Sequence, residues 1–227
     1  MSEPVTVNVD VVSDVMCPWC YIGQKRLDRA LAALPQDVAV EVRWRPFQLD
    51  PTLPPEGKDR AAYLAEKFGD GERAGRIYET VREAGRKEAI AFDFDAIAVA
   101  PNTLDAHRVL RWAASAGPGV QDRLARRLFA LYFEEGAHIG DHTVLVAAAR
   151  EAGMDAALVE TLLATEADRD AVRQEIATAA GMGINGVPCF LIDGRYAVMG
   201  AQEAEVLADA IGKVAAARRD GHPSAAG

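Results

Sequence analysis

The sequence predicts an α/β fold in which a β-α-β unit and a β-β-α unit are separated by a long run of helices. Three observations carry this reading. Residues 5–12 form an apolar, β-branched run, followed by helix-spaced apolar residues and then by the alternating stretch 38–44. From residue 60 to residue 182 the apolar spacing is helical throughout. Strand patterns return only at 187–193 and 196–199, ahead of a last helix that ends near Arg218.

Taken in order, Tyr21, Leu27, Ala30, Leu31 and Leu34 line one face of the first helix. Pro35-Gln36-Asp37 is a turn. Val38, Val40, Val42 and Trp44 then share a face of the second strand, parallel to the first if the helix between is a crossover. A proline-rich connection spans 46–57. Helices are expected at 60–68, 72–85, 104–116, 120–135, 144–152, 156–164 and 168–182. Asn102-Thr103, Asp141 or His142-Thr143, Asp155 and Asp168 stand at their starts as N-caps, and Gly117-Pro118-Gly119 breaks the chain before 120. Asp193-Gly194-Arg195 makes a tight hairpin, and the last helix begins at Ala201 or Gln202. No internal repeat is visible. The expected division is one domain from 1–50 and 184–219, an inserted helical domain at 51–183, and a disordered Gly/Pro/Ser/Ala-rich tail at 220–227.

The 227 residues carry a net charge of -9 and half are hydrophobic. The acidic balance argues against nucleic acid or an anionic membrane as partner. No apolar run reaches membrane-spanning length. Met1-Ser2-Glu3-Pro4 lacks the basic segment and apolar core of an export signal, so the expected compartment is the cytoplasm. Three cysteines there do not make a stabilising disulfide framework.

Cys17-Pro18-Trp19-Cys20 falls at the strand-to-helix junction. The free N–H groups and the positive dipole end of a helix favour a thiolate on Cys17. Pro18 suits the first helical position, where its missing N–H costs nothing. Spacing on one turn brings Cys20 within reach of Cys17, as a two-electron dithiol/disulfide switch requires. Half of a zinc site, or two unrelated core thiols, is the competing reading; for zinc, one further Cys and four His form no second ligand pair. Gly181-Met182-Gly183-Ile184-Asn185-Gly186 fits a dinucleotide fingerprint in spelling only, because it follows a helix and opens a strand. Its glycines are read as a helix C-cap and loop. Val187-Pro188 fronts a strand, which suggests an edge or turn and admits a cis peptide.

The ordered set Ser13-Asp14, Cys17-Pro18-Trp19-Cys20-Tyr21-Ile22-Gly23, Arg45-Pro46-Phe47, Asn102-Thr103 with Ala106-His107-Arg108, Phe133 with Glu135-Gly136, Gly186-Val187-Pro188 and Gly200-Ala201-Gln202 resembles the DsbA family of thioredoxin-fold oxidoreductases, in its cytosolic FrnE-like branch. The resemblance implies a thioredoxin-like fold with a large α-helical insertion. It implies that Cys17 attacks, that Cys20 resolves, and that a cis Val187-Pro188 packs on the disulfide and receives an extended substrate by strand addition. The implied partners are protein or small-molecule thiols and disulfides. No cofactor is expected beyond the cysteine pair itself, with glutathione a possible co-substrate.

Three departures stand out. The buried acid that such enzymes often carry six residues before the first cysteine is Val11 here, and Asp14 is closer but readable as a helix-entry cap. Cys189 follows Pro188 and is read as a buried core residue rather than a third redox thiol. Trp19, not histidine, stands between the cysteines, so the cationic help of an extreme oxidant is missing. His107 is read as structural or surface, His138 and His142 as no metal pair, and Glu134, Glu135, Arg123, Arg126 and Arg127 as solvated faces. The alternative enzyme is a glutathione-dependent isomerase or transferase of the 2-hydroxychromene-2-carboxylate isomerase type, with Gly200-Ala201-Gln202 holding a glutathione carboxylate at a helix N-terminus. A non-catalytic partner in natural-product biosynthesis or a redox-regulated binding protein is the third class.

Overall fold

A run of valines sets the centre of the sheet. The computed structural model, which describes residues 4–69 and 71–220, puts β1 (Val5–Ser13) between two neighbours. Val7, Val9 and Val11 point into the main core, while Val12 joins a small cluster on the opposite face with Ala179, Ile184 and Cys189. Burial on both faces is what an apolar, non-alternating strand end requires. Helix α1 (Pro18–Ala32) carries the chain across to β2 (Val38–Pro46), which lies parallel to β1 with Val5 opposite Val38. β5 (Cys189–Ile192) flanks β1 on the other side, antiparallel, and β6 (Tyr196–Met199) closes the sheet in the order β2-β1-β5-β6. The hairpin between them turns on Asp193 and Gly194, both at positive φ, as expected for this dipeptide.

Two small strands, β3 (Lys58–Asp59) and β4 (Val99–Ala100), pair antiparallel outside the main sheet. Neither has a sequence signal, because two residues carry no alternation. Between β3 and β5 the chain forms α2 (Arg60–Phe68), α3 (Gly71–Lys87), α4 (Leu104–Ala113), α5 (Val120–Phe133), α6 (His142–Ala152), α7 (Ala156–Leu163) and α8 (Arg169–Gly181). Asp141 and Asp155 cap their helices as expected, each accepting two backbone N–H groups. Asn102 also accepts the Leu104 N–H, at 3.0 Å. Asp168 does not cap: it sits at φ +59° and its carboxylate takes Trp112 Nε1 at 2.8 Å and Arg111 at 3.3 Å. The two side chains on α4 outcompete the local backbone for it.

The last helix, α9 (Ala204–Arg219), starts later than the sequence suggests. Gly200, at φ +77°, Ala201 and Gln202 form the loop before it, and Gln202 donates its side-chain amide to the Met199 carbonyl. Of the expected tail at 220–227, only Asp220 lies among the described residues. Helix α9 packs on α1, β1 and β5, while α5 and α8 contact β2. The main apolar core runs unbroken from the β1 valines through Leu124, Leu128 and Phe129 of α5 to Leu145 of α6.

Two buried arginines tie separate elements together. Arg26 of α1 meets Glu88 at 2.8 Å, with side chains 7% and 1% exposed. It also donates to the Ala201 carbonyl at 2.6 Å and pairs with Glu203 at 2.8 Å, so one guanidinium ties α1 to the end of α3 and to the entry of α9. Arg108, fully buried, similarly holds the carbonyls of Leu162 at the end of α7 and of Thr165 and Ala167 beyond it. Gly23 permits a different closeness: a Cβ there would lie 2.9 Å from Cγ of Pro188 and 3.2 Å from Cζ of Phe190.

Two stability outcomes follow from these contacts. Glu88→Ala strands a buried guanidinium that keeps only the Ala201 carbonyl and the solvated Glu203, and should cost about 3 kcal/mol in chemical denaturation. Glu203→Ala should cost under ~1 kcal/mol, because that partner is exposed. Gly23→Ala sets a helix-propensity gain of about 1 kcal/mol against overpacking of about 1–3 kcal/mol. The proline ring is stiff, so a net loss is expected; a raised denaturation midpoint would show that the Pro188 loop yields freely.

Candidate active site

The cysteine motif occupies the strand-to-helix junction that its sequence context requires. Cys17 is the N-cap of α1, in extended backbone at φ -92° and ψ 114°, and Pro18 opens the helix. The Cys17 carbonyl accepts the N–H groups of Cys20 at 3.0 Å and Tyr21 at 3.3 Å, and the Cys17 N–H donates to the Asp14 carbonyl at 3.0 Å. These bonds fix the turn that stacks the two cysteines. The first turn of α1 holds no acidic side chain, so nothing there competes for the positive end of the helix dipole.

Both thiols are free and nearly hidden, Cys17 at 4% and Cys20 at 1% exposure. Cys17 Sγ lies 3.9 Å from the Val187 carbonyl oxygen, at the cis Val187-Pro188 peptide. Pro188 is buried and Trp19 half-buried. Burial pushes the Cys20 thiol well up, and the adjacent Cys17 sulfur pushes it further. The Ser13 hydroxyl and the Asp14 backbone act the other way. The two sulfurs are therefore not equivalent: one sits at the helix mouth, the other is held protonated beneath it.

Pro188 ends a loop rather than an edge. β5 begins at the next residue and is flanked on both sides, by β1 and β6, so of the edge and the turn that the sequence admits, the edge is ruled out. The missing proline N–H falls just outside the ladder, and the Pro188 carbonyl accepts from Gly200 at 2.8 Å. The preceding glycine-containing stretch is the C-terminal turn of α8, with Gly183 at φ +82° and Ile184 N–H on the Ala179 carbonyl at 3.1 Å. Cys189 is fully buried in the cluster with Val12, Ala179 and Ile184, separate from the core that holds Cys17 and Cys20, and burial raises its thiol pKa.

Several polar residues around the motif differ from their sequence reading. Asp14 is not a helix-entry cap: its carboxylate, fully buried, accepts Leu49 N–H at 2.7 Å and Met16 N–H at 3.4 Å. His107 is 3% exposed, with Nε2 3.5 Å from Asp14 Oδ1. Glu134 is half-buried and accepts from Tyr21 Oη at 2.5 Å, while the Tyr21 ring stacks on Phe129 at 5.2 Å. Arg126 pairs with Asp122 and with Asp28 of α1, Arg127 with Glu135 and Glu151, and Arg123 holds the Ala152 carbonyl. These groups staple helices; they are not merely solvated. His138 meets the Glu56 carbonyl and His142 meets Asp105, so they serve different partners. Among the described residues, no three His, Cys, Asp or Glu side chains gather as a metal site would need.

Comparisons with known proteins agree with this geometry. The DSBA-like thioredoxin domain matches residues 8–212. An uncharacterised protein of Bacillus subtilis (strain 168), YwbO, is 27% identical over 208 residues, covering 91% of this chain and 96% of its own. The crystal structure of a probable DsbA oxidoreductase from Streptomyces coelicolor superposes with a TM-score of 0.83 at 32% identity, covering 97% of this chain and 93% of that one. A 2-hydroxychromene-2-carboxylate isomerase structure shares the fold, with a TM-score of 0.67 at 16% identity over 95% of this chain and all of its own. The fold is thus thioredoxin-like with a helical insertion, and the chain belongs to the DSBA-like thioredoxin domain family.

Proposed function

We propose that the protein is a thiol–disulfide oxidoreductase or isomerase whose reactive pair is Cys17 and Cys20. The observation that carries this reading is the asymmetry of the pair. Cys17 stands at the N-cap of α1 against the Val187 carbonyl, and Cys20 lies protonated one turn deeper. The helix N-terminus favours negative charge on the outer sulfur, as a nucleophile needs. Cys17 thiolate attacks a substrate disulfide, forming a mixed disulfide and releasing one substrate thiolate. Cys20 then loses its proton and attacks Cys17, closing the Cys17–Cys20 disulfide and releasing the second thiolate. Pro18 and Trp19 shape the turn between them, and the backbone at Val187 and Pro188 takes an extended substrate as an added strand.

Leu49 and Met199 are 39% and 41% exposed, on segments adjoining Asp14 and Cys189. Such apolar surface favours a protein disulfide as substrate, with glutathione as a small-molecule co-substrate. Among the described residues, none of the three cysteines is used in a structural bridge, which fits a reducing compartment such as the cytoplasm. No helix of the described residues is long and apolar enough to cross a membrane. The likeness to the isomerase supports a second reading in fold alone, and a second thiol beneath Cys17 has no role in that chemistry.

Trapping separates the two readings. Cys20→Ser should leave Cys17 stranded in mixed disulfides with its partners, recoverable from cells and identified by mass spectrometry. Cys17→Ser should trap nothing, because a hydroxyl does not attack disulfide sulfur under these conditions. Chromene-carboxylate isomerisation that survives in Cys17→Ser, with no adducts from Cys20→Ser, would favour the glutathione enzyme.

A further inference from the structure

The outer edge of β2 carries backbone groups that the chain itself leaves unpaired. Val5 N–H donates to the Asp37 carbonyl at 2.9 Å and Phe47 N–H to the Ser13 carbonyl at 3.0 Å, and the strands are parallel. This register turns the odd-numbered residues of β2 towards β1, so the even-numbered ones face away from the sheet. Towards the end of the strand Gln121 closes the edge, accepting Trp44 N–H at 3.0 Å and donating to the Trp44 carbonyl at 3.1 Å. At its start Val38 N–H donates to the Pro35 carbonyl at 3.0 Å. Among the described residues, the Val38 carbonyl and both backbone groups of Val40 and of Val42 meet no protein partner. The valine side chains are half-buried against the main core. A groove of about 690 Å³ runs beside Val40 and Val42, between Leu27 and Leu31 of α1 and the exposed turn at Gly117 and Gly119. An open edge of this kind is a template for another strand.

We propose that this edge seats a second copy of the same chain, with the two β2 strands antiparallel about a twofold axis at Val40. The free backbone groups and the charges select that register. An axis at Val42 would need the Trp44 backbone, which Gln121 already holds. An axis at Glu41 sets Glu41 against Glu41, and an axis at Ala39 sets Glu41 against Asp37. With the axis at Val40, each Val40 exchanges N–H and carbonyl with Val40 of the second copy, and each Val42 N–H donates to the other Val38 carbonyl. Gln121 and Pro35 keep their own bonds. Arg43 then stands opposite Asp37 of the second copy, at both ends of the paired segment.

Both charges are available for this pairing. Within one chain Arg43 meets Glu41 at 2.9 Å and Asp37 meets Arg219 at 2.7 Å, all four side chains between 41% and 58% exposed, so little holds them where they are. Each copy carries a net charge of -9, which opposes approach except where opposite charges face each other. The Val187 mouth adjoins β5, with β1 between it and this edge, and the association does not rest on the redox reading of the cysteines.

The test is sedimentation velocity of the full chain over a concentration series up to the millimolar range, with backbone amide exchange measured on the same samples. The wild type should pass from monomer to dimer, and exchange at Val40 and Val42 should slow as it does. Val40→Pro deletes an N–H that β1 does not use, so the sheet keeps its own bonds. It should raise the dimer dissociation constant on the order of 10-fold or more, through loss of the reciprocal Val40 bonds. Arg43→Glu, an exposed change that does not touch the backbone, should raise it about 10-fold by turning two attractive cross-strand pairs repulsive. Adding Asp37→Lys to Arg43→Glu should restore the wild-type value. A wild type that stays monomeric throughout would overturn the proposal. So would a dimer indifferent to both single variants, or one whose Val40 and Val42 amides exchange as fast as in the monomer. Failure of the double variant to restore association would overturn the register at Val40.

Discussion

The close approach of helix α1 to the Pro188 loop is the contact on which the site depends. Gly23, on the second turn of that helix, leaves 2.9 Å between the place of a Cβ and the proline ring. A side chain at this point would push the helix away, and with it the Cys17 sulfur that meets the Val187 carbonyl at 3.9 Å. The sheet fixes the other partner: Pro188 leads directly into β5, which is held by β1 on one side and β6 on the other. The Arg26 guanidinium then pins the same helix to the loop before α9 through Ala201 and to the buried Glu88. Helix, loop and sheet thus constrain one small mouth from three directions.

Within that mouth, position alone separates two chemically identical side chains. The outer thiol gains the unpaired N–H groups and dipole of a helix N-terminus. The inner one loses water, and desolvation outweighs the help that the Ser13 hydroxyl and the Asp14 backbone give its thiolate. Burial and helix geometry make the two sulfurs chemically unequal, which is the asymmetry that the proposed exchange uses. The same burial disfavours loss of the Cys20 proton.

Much of this was legible in the sequence because it is written locally. The strands and helices follow from apolar period, the caps at Asp141 and Asp155 from residue type, and the cysteine motif from its place at a strand–helix junction. Cis geometry at Pro188 and the core position of Cys189 also agreed with the reading. What was missed depends on pairs distant in the chain. Asp14 read as a cap because its real partners, Leu49 and His107, belong to other elements. Asp168 read as a cap because Trp112 and Arg111, which hold it, lie on another helix. Glu134 and Arg126 read as solvated because charge on a helix surface does not reveal what packs over it. The two-residue strands β3 and β4 are too short to leave any pattern.

As proposed, Cys17 and Cys20 form one reversible two-electron couple. Equilibrating the protein in glutathione buffers of defined ratio, alkylating free thiols and weighing the products measures it directly. A helix N-terminus without a histidine between the cysteines should give a single transition between the thioredoxin and DsbA values, about -270 to -120 mV, with both thiols protected together and Cys189 still free. A midpoint below the thioredoxin value would contradict the oxidant or isomerase assignment, and independent protection of Cys17 without Cys20 would contradict the couple.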